Sequence, residues 1–252
     1  MIKIQPKTKY MGRKVEYLPT CHSTNNYALE LLRKTDIISG TIVITDNQTQ
    51  GRGQRGNEWH SEAGKNLTCT IIYKPESIKA SEQFMLNILL STAIFKTLET
   101  YELDGLKIKW PNDIYVNKQK LGGVLIESLL IGSVIGSSII GIGINLNQGK
   151  FELPMATSVL KLTGKEVDRE LFLTKLMEEF ESNLENFKKK GITEHKNFYL
   201  KNLFQMNEWC KYEDAEGQYE GRIVGITAIG EVLVEKELGL MKYGMKEFRY
   251  IY

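Results

Sequence analysis

Between Ser128 and Gly149 the chain runs for 22 residues without a charge. A stretch that long must either cross a membrane or be buried by the fold. Twelve of the 22 residues are Gly, Ser, Asn or Gln, and many of the others are β-branched. That composition predicts two buried strands joined by a turn near Gly132, with no membrane partner.

The flanking pattern supplies both strands and helices. Lys14–Leu18, Thr41–Thr45, Leu67–Tyr73, Lys107–Lys109, Ile114–Val116 and Lys120–Leu130 read as strands. Thr24–Lys34 reads as a helix with Ala28, Leu31 and Leu32 on one face, capped by Ser23 or Thr24. Ser81–Tyr101 reads as a long amphipathic helix and Asp168–Lys190 as a second, ending at Gly191. Asp46–Asn57 carries three glycines and reads as a loop. After Asn202 the runs shorten, at Trp209–Glu213, Gln218–Ile226, Glu231–Glu235 and Gly239–Lys242, as in a small β barrel. Two domains are expected, 1–202 and 203–252.

Charge and cysteines exclude several classes. A net charge of +2 over 252 residues argues against a polyanion partner. Residues 1–202 hold 27 basic and 22 acidic side chains, and residues 203–252 hold 6 and 9, so the larger part is mildly basic. Cys21, Cys69 and Cys210 are odd in number with no C-x-x-C pair, so neither a disulfide framework nor a zinc site is expected. His22, His60 and His195 lack metal-ligand spacing. The N-terminus, MIKIQPKTKYMGRK, has no signal-peptide core. A cytoplasmic location is the expectation.

Four segments hold residues that suit chemistry. In Gln48–Trp59, glycines 51, 53 and 56 alternate with Arg52 and Arg55. Successive glycine amides can turn toward one anion, and arginine adds bidentate charge. The spacing is neither a Walker loop nor a strand-to-helix dinucleotide turn, and a plain solvated loop stays open. In Lys109–Asp113, KWPND, the Asp113 carboxylate could hold Mg²⁺ or take a proton from an amine, or the segment is a plain β corner. In Lys120–Glu127, Gly122 and Gly123 would let a ligand lie on bare backbone, and Lys120 is either a site cation or an exposed turn lysine. In Gly141–Asn147, Gly141 and Gly143 would make room for a ligand oriented by Asn145, or the segment is a barrel-like core strand with a turn Asn.

In order, S-T-N at 23–25, GRGQRG-x-x-W at 51–59, KWPND at 109–113, K-x-x-G-x-L-x-E at 120–127 and GIGIN at 141–145 resemble the biotin–protein ligase family. The resemblance spans Val15 to Asn147, and the region after Asn202 looks like that family's SH3-like domain. It implies an α+β fold: a mixed sheet flanked by helices, class II synthetase-like, followed by a small SH3-like β barrel. It implies ATP-dependent formation of biotinyl-5′-AMP from biotin, then transfer to a lysine of a biotin carboxyl carrier protein. Lys120, Arg52 and Asp113 would be catalytic. Biotin would meet Ser23, Thr24, Asn25, Gln48, Arg52, Gly53, Gln54, Lys120, Gly122, Gly123 and Asn145. ATP would meet Arg52, Gln54, Arg55, Trp59, Lys109, Asn112, Lys120 and Asn145, with Mg²⁺ at Asp113.

The sequence departs from the family at Gln54, where members often carry Arg, and at Asn57, where a basic residue is common. With fewer fixed charges, the loop is expected to hold biotinyl-AMP less tightly and to be mobile when empty. About a dozen residues precede the first strand, too few for a helix-turn-helix module, so no DNA binding is expected. Either a monomer or a homodimer is compatible with the sequence. Two rivals remain, a lipoate–protein ligase of the same fold and a non-catalytic biotin sensor.

Overall fold

The computed structural model describes residues 2–245 and 247–252; the side chain of Arg55 lies outside the described part. Strand β1 (Val15–Cys21) leads into helix α1 (Thr24–Lys34) and strand β2 (Thr41–Gln48). Strands β3 (Leu67–Tyr73), β4 (Leu106–Lys109), β5 (Asp113–Val116), β6 (Gln119–Ile131) and β7 (Val134–Ile144) follow, with helix α2 (Phe84–Glu99) between β3 and β4. Helices α3 (Val159–Thr163), α4 (Arg169–Lys190) and α5 (Thr193–Lys201) complete the large part.

The seven strands form one sheet in the order β1-β2-β3-β7-β6-β5-β4. Only β1 and β2 run parallel; every other neighbouring pair is antiparallel. The uncharged stretch supplies the β6–β7 hairpin, turning at Gly132, which has φ 61. Burial of the whole stretch does not hold. Leu129, Leu130, Ile131 and Val134 at the hairpin tip are exposed, because the tip projects past the strands that would cover it.

Apolar residues cover both faces of the sheet. Ala28 of α1 packs with Val43, Ile72 and Ile139 on one face. Helix α2 lies on the other, between the sheet and helices α4 and α5. Its expected amphipathic character is corrected: 14 of its 16 residues are buried. A helix sandwiched between a sheet and other helices needs an apolar surface all round. It also begins at Phe84 rather than Ser81, after a short 3₁₀ turn at Ala80–Glu82.

Two other local expectations need correction. Strand β2 continues to Gln48, because Asn47 and Gln48 stay in register with Thr20 and Cys21 of β1. Ser23 occupies the N-cap position of α1, but its side chain makes no capping bond. The Gln48 Oε1 carbonyl accepts from the Thr24 amide instead, at 2.7 Å.

A second sheet uses β8 (Trp209–Asp214), β9 (Gly217–Ile226), β10 (Val232–Lys236), β11 (Gly239–Tyr243) and β12 (Arg249–Tyr250), in the order β11-β10-β9-β8-β12. This antiparallel sheet is consistent with an SH3-like fold. It is tied to the larger sheet at the KWPND corner. The Ile108 amide donates to Asn202 O and the Phe204 amide to Ile108 O. Trp110 is buried at the seam, its indole donates to Gly230 O at 2.9 Å, and the Phe248 ring packs edge-on at 6.0 Å. The Trp110–Pro111 peptide is cis. No helix among the described residues is long and apolar enough to cross a membrane.

Candidate active site

The N-terminal end of α1, the end of β2 and the start of β6 converge on a cavity of about 420 Å³. Ser23, Thr24, Asn25 and Gln48 form one wall. Thr24, Asn25 and Gln48 are fixed by neighbours. Gln48 Oε1 accepts from both the amide and, at 3.1 Å, the hydroxyl of Thr24. Thr70 Oγ1 lies 2.8 Å from Thr24 Oγ1 and 2.6 Å from Asn25 Oδ1. A polar wall buried and cross-linked in this way is set before any ligand arrives.

The glycine segment closes the cavity as a hairpin. The Gly53 amide donates to Asn57 O, the Trp59 amide donates to Gly51 O, and the Arg52 and Glu58 backbones pair in an antiparallel bridge. Arg52, Gly53, Gln54 and Trp59 line the cavity. Arg52 does not point at an empty anion site. Its guanidinium donates to Asn26 Oδ1 at 2.9 Å and makes a short ion pair with Glu127. Arg55 was expected to meet ATP, and its side chain is outside the described residues.

Opposite lie Lys109, Asn112, Asp113, Lys120 and Gly123. Lys120 Nζ sits 2.7 Å from Asp113 Oδ1. Asn112 is buried and donates through Nδ2 to Val124 O, which holds the corner against β6. The Lys109 ammonium donates to the Tyr115 hydroxyl at 3.2 Å and lies 4.5–5.0 Å from the ring centres of Tyr115, Tyr250 and Tyr252. Burial among these rings pulls its pKa down to about 8; the Asp113 carboxylate opposes that shift and the Lys120 ammonium adds to it.

A second cavity of about 560 Å³ adjoins the first. Gln48, Glu58, Trp59 and Lys120 line both. Asn145 belongs to the second cavity and not to the first. Its Nδ2 donates to Thr157 O, while its buried Oδ1 has no partner, as does the buried Trp59 Nε1. Buried polar atoms without partners are costly, and among the described residues these two lie beside the cavities.

The glycines of β6 and β7 pack closely against side chains from elsewhere in the chain. A Cβ on Gly141 would collide with the Asn25 amide, and one on Gly143 would come within 2.5 Å of the Trp59 indole. They make room for the protein's own side chains, and both also line the first cavity. Gly122 faces Ile144 and lines neither cavity, whereas Gly123 leaves space for the Asp113–Lys120 pair. The sequence reading also missed two contributors. Met245, Phe248, Arg249 and Tyr250 bring the small sheet to the first cavity, and Phe151, Leu153 and Ala156 wall the second. Both follow irregular segments whose destination depends on tertiary folding and not on local pattern.

A resident metal is not what these residues are built for. Among the described residues no three His, Cys, Asp or Glu side chains cluster. Asp113 Oδ1 is taken by Lys120, and Oδ2 has no hydrogen bond among the described residues. One free carboxylate oxygen could supply a single position on a divalent cation and not a whole coordination shell.

Fold and cavities together give a polar cleft of two adjoining cavities with Lys120 at their junction. Comparison with known proteins is more specific. Residues 17–145 match the model of the biotin/lipoate A/B protein ligase family. The bifunctional ligase/repressor BirA of Bacillus subtilis is 31% identical over 248 residues, covering 96% of this chain and 75% of the relative. The biotin–[acetyl-CoA-carboxylase] ligase of Paracoccus denitrificans is 31% identical over 230 residues, covering 86% of this chain and 92% of the relative. The biotin protein ligase from Aquifex aeolicus, solved in complex with biotin and ATP, superposes with a TM-score of 0.79 at 29% identity, over 95% of this chain and all of the other. The chain belongs to the biotin/lipoate A/B protein ligase family.

Proposed function

We infer that the chain is a biotin–protein ligase which joins biotin to ATP as biotinyl-5′-AMP and then transfers the biotinyl group to a lysine of a carrier protein. The observation that carries this reading is the position of Lys120, whose side chain lines both cavities at their junction. A carboxylate from one cavity and an α-phosphate from the other would meet there, and the ammonium offsets the charge that grows as two anions approach.

The polar wall of Ser23, Thr24, Asn25 and Gln48 suits the polar ring of biotin better than a linear acyl chain. Its carboxylate would then face Lys120, beneath Arg52 and Gln54. The nucleotide would occupy the second cavity, with adenine beside Trp59 and Phe151 and a polar edge meeting Asn145 Oδ1. Lys109 and Asn112 would lie toward its phosphates. Mg²⁺ carried by ATP would be held at Asp113 and would withdraw charge from the phosphates.

In the first step a biotin carboxylate oxygen attacks the α-phosphorus and pyrophosphate leaves. In the second the carrier amine attacks the acyl carbon and AMP leaves. A lysine amine, with pKa about 10.4, is mostly protonated near neutrality. Asp113, at the cavity wall, is the group suited to orient it and to accept its proton. The chemistry of the transfer points to a biotin carboxyl carrier domain as acceptor.

The test is biotin-dependent exchange of labelled pyrophosphate into ATP. Exchange with biotin and not with lipoate supports the reading. Exchange with lipoate alone would turn it toward the lipoate ligases, and exchange with neither toward a sensor.

A further inference from the structure

Among the described side chains of residues 52–57, Arg52 alone bonds to the body of the protein. The other contacts of that tip are internal, from Gly53 to Asn57. Among the described side chains, the hydrogen bonds that fasten the tip of the glycine hairpin over the first cavity therefore come from one guanidinium.

Its main partner is Glu127, on β6. One carboxylate oxygen takes Arg52 Nη2, and the other accepts from Asn25 Nδ2 at 2.8 Å. Asn25 is 4% exposed and belongs to the cavity wall, where it continues through Thr70 and Thr24 to Gln48. Glu127 itself does not line the first cavity; it stands on the outer side of the hairpin. A single carboxylate thus joins the lid and the floor without touching what lies between them.

We propose that Glu127 is a positioning residue: by holding Arg52 and Asn25 at once it latches the glycine hairpin over an occupied cavity and sets how long the acyl-adenylate is retained. The proposal rests on the biotin ligase reading. When a ligand fixes Asn25, Glu127 is fixed with it, and so is the place where Arg52 docks. When the carboxylate is missing, the guanidinium loses its anchor and Asn25 loses an acceptor. Both members of the ion pair are half-exposed, at 42% and 45%, so the latch is weak enough to open in each turnover.

The test compares the full chain with Glu127→Gln and Glu127→Asp. The expected result for Glu127→Gln is release of biotinyl-AMP about five- to tenfold faster, in single-turnover reactions without carrier. The KM for biotin rises by a similar factor and the maximal rate of pyrophosphate exchange changes by less than about twofold. In the parent protein release quickens with added salt, because an exposed ion pair is screened; in Glu127→Gln that dependence is lost. Glu127→Asp, which keeps the charge on a shorter arm, falls between the two. A purely structural role would lower the melting temperature without touching the salt dependence. Hydrogen exchange of residues 51–58 in the ligand-free proteins reads the latch independently of activity, and is faster in Glu127→Gln. Unchanged exchange at that tip, or unchanged release from a variant that melts like the parent, overturns the proposal. Absence of biotin-dependent exchange in the parent protein would sink the ligase reading instead, and the tip's hydrogen exchange would still decide the latch.

Discussion

Lys120 Nζ lies 2.7 Å from Asp113 Oδ1, across strand β6 from β5 and over the bare backbone of Gly123. A Cβ at Gly123 would stand 2.9 Å from that same oxygen and 3.4 Å from Nζ. The ion pair and the glycine are one device: the missing side chain is the space the pair occupies. Lys120→Ala is expected to lower biotin-dependent pyrophosphate exchange by about a hundredfold or more, the scale seen when one preorganised donor to a developing charge is removed. Gly123→Ala should cost less, about tenfold, because it displaces the pair without deleting it. Steady-state exchange on both variants, with circular dichroism to show that they fold, checks the ranking. An alanine at 123 with parental activity would mean that the pair's position is unimportant.

The pKa of Lys109 gives a pH dependence with a definite sign. Burial brings it from the ordinary 10.5 to about 8, so the ammonium is charged below pH 8 and neutral above. If it faces ATP phosphates, the KM for ATP should rise as pH passes through 8, by about tenfold per unit at most. Lys109→Arg keeps its charge throughout this range and should remove the inflection. Stability responds in the opposite sense. Between about 8 and 10.5 the unfolded chain binds the proton that the folded chain has lost, so stability gains from this group as pH rises through that window. Urea denaturation at pH 7 and pH 9 on the parent and on Lys109→Met separates this contribution from the rest.

The N-terminal segment is held by acidic side chains of α4. Glu181, 6% exposed, accepts from the amides of Lys9, Tyr10 and Met11, and the Met11 side chain is buried in the main core. Removing that carboxylate leaves three amides without an acceptor in a place water reaches poorly. Glu181→Ala should cost about 3 kcal/mol. Glu181→Gln, which keeps one acceptor oxygen, should cost less than half as much. Denaturant midpoints give the ordering; a loss below 1 kcal/mol for alanine would mean that solvent replaces the carboxylate.

The strands and the Lys109–Lys120 corner were legible because each carries a local signal: alternation, β-branching, or a Pro-Asn-Asp turn. The same holds for α1 and α4, with Asp168 accepting from two amides at the start of α4. What the sequence hid depends on contact at a distance. That Asn25 and Trp59 arrive from elsewhere in the chain to pack against Gly141 and Gly143 is not visible locally. Helix α2 looks amphipathic only while its second covering layer, α4 and α5, is out of view. Arg249 and Tyr250 carry no local mark of a site; the small sheet's docking at Trp110 brings them there.

On the proposed ligase reading, Gln54 is a residue through which retention of the intermediate can be raised. It lines the first cavity at the tip of the hairpin, and its side chain makes no hydrogen bond among the described residues. An arginine there would add a fixed charge facing the carboxylate and phosphate of biotinyl-AMP, where a bidentate contact is stronger than one from a neutral amide. Gln54→Arg is therefore expected to slow release of biotinyl-AMP by about tenfold, while the rate of its formation changes little. The effect should add to that of Glu127→Gln in part only, since a charge on the ligand side and a latch on the outer side restrain the same hairpin. Release measured after rapid removal of free substrates, for both single variants and the double, gives the coupling directly. If Gln54→Arg left release unchanged, the weak charge of this hairpin would not govern retention.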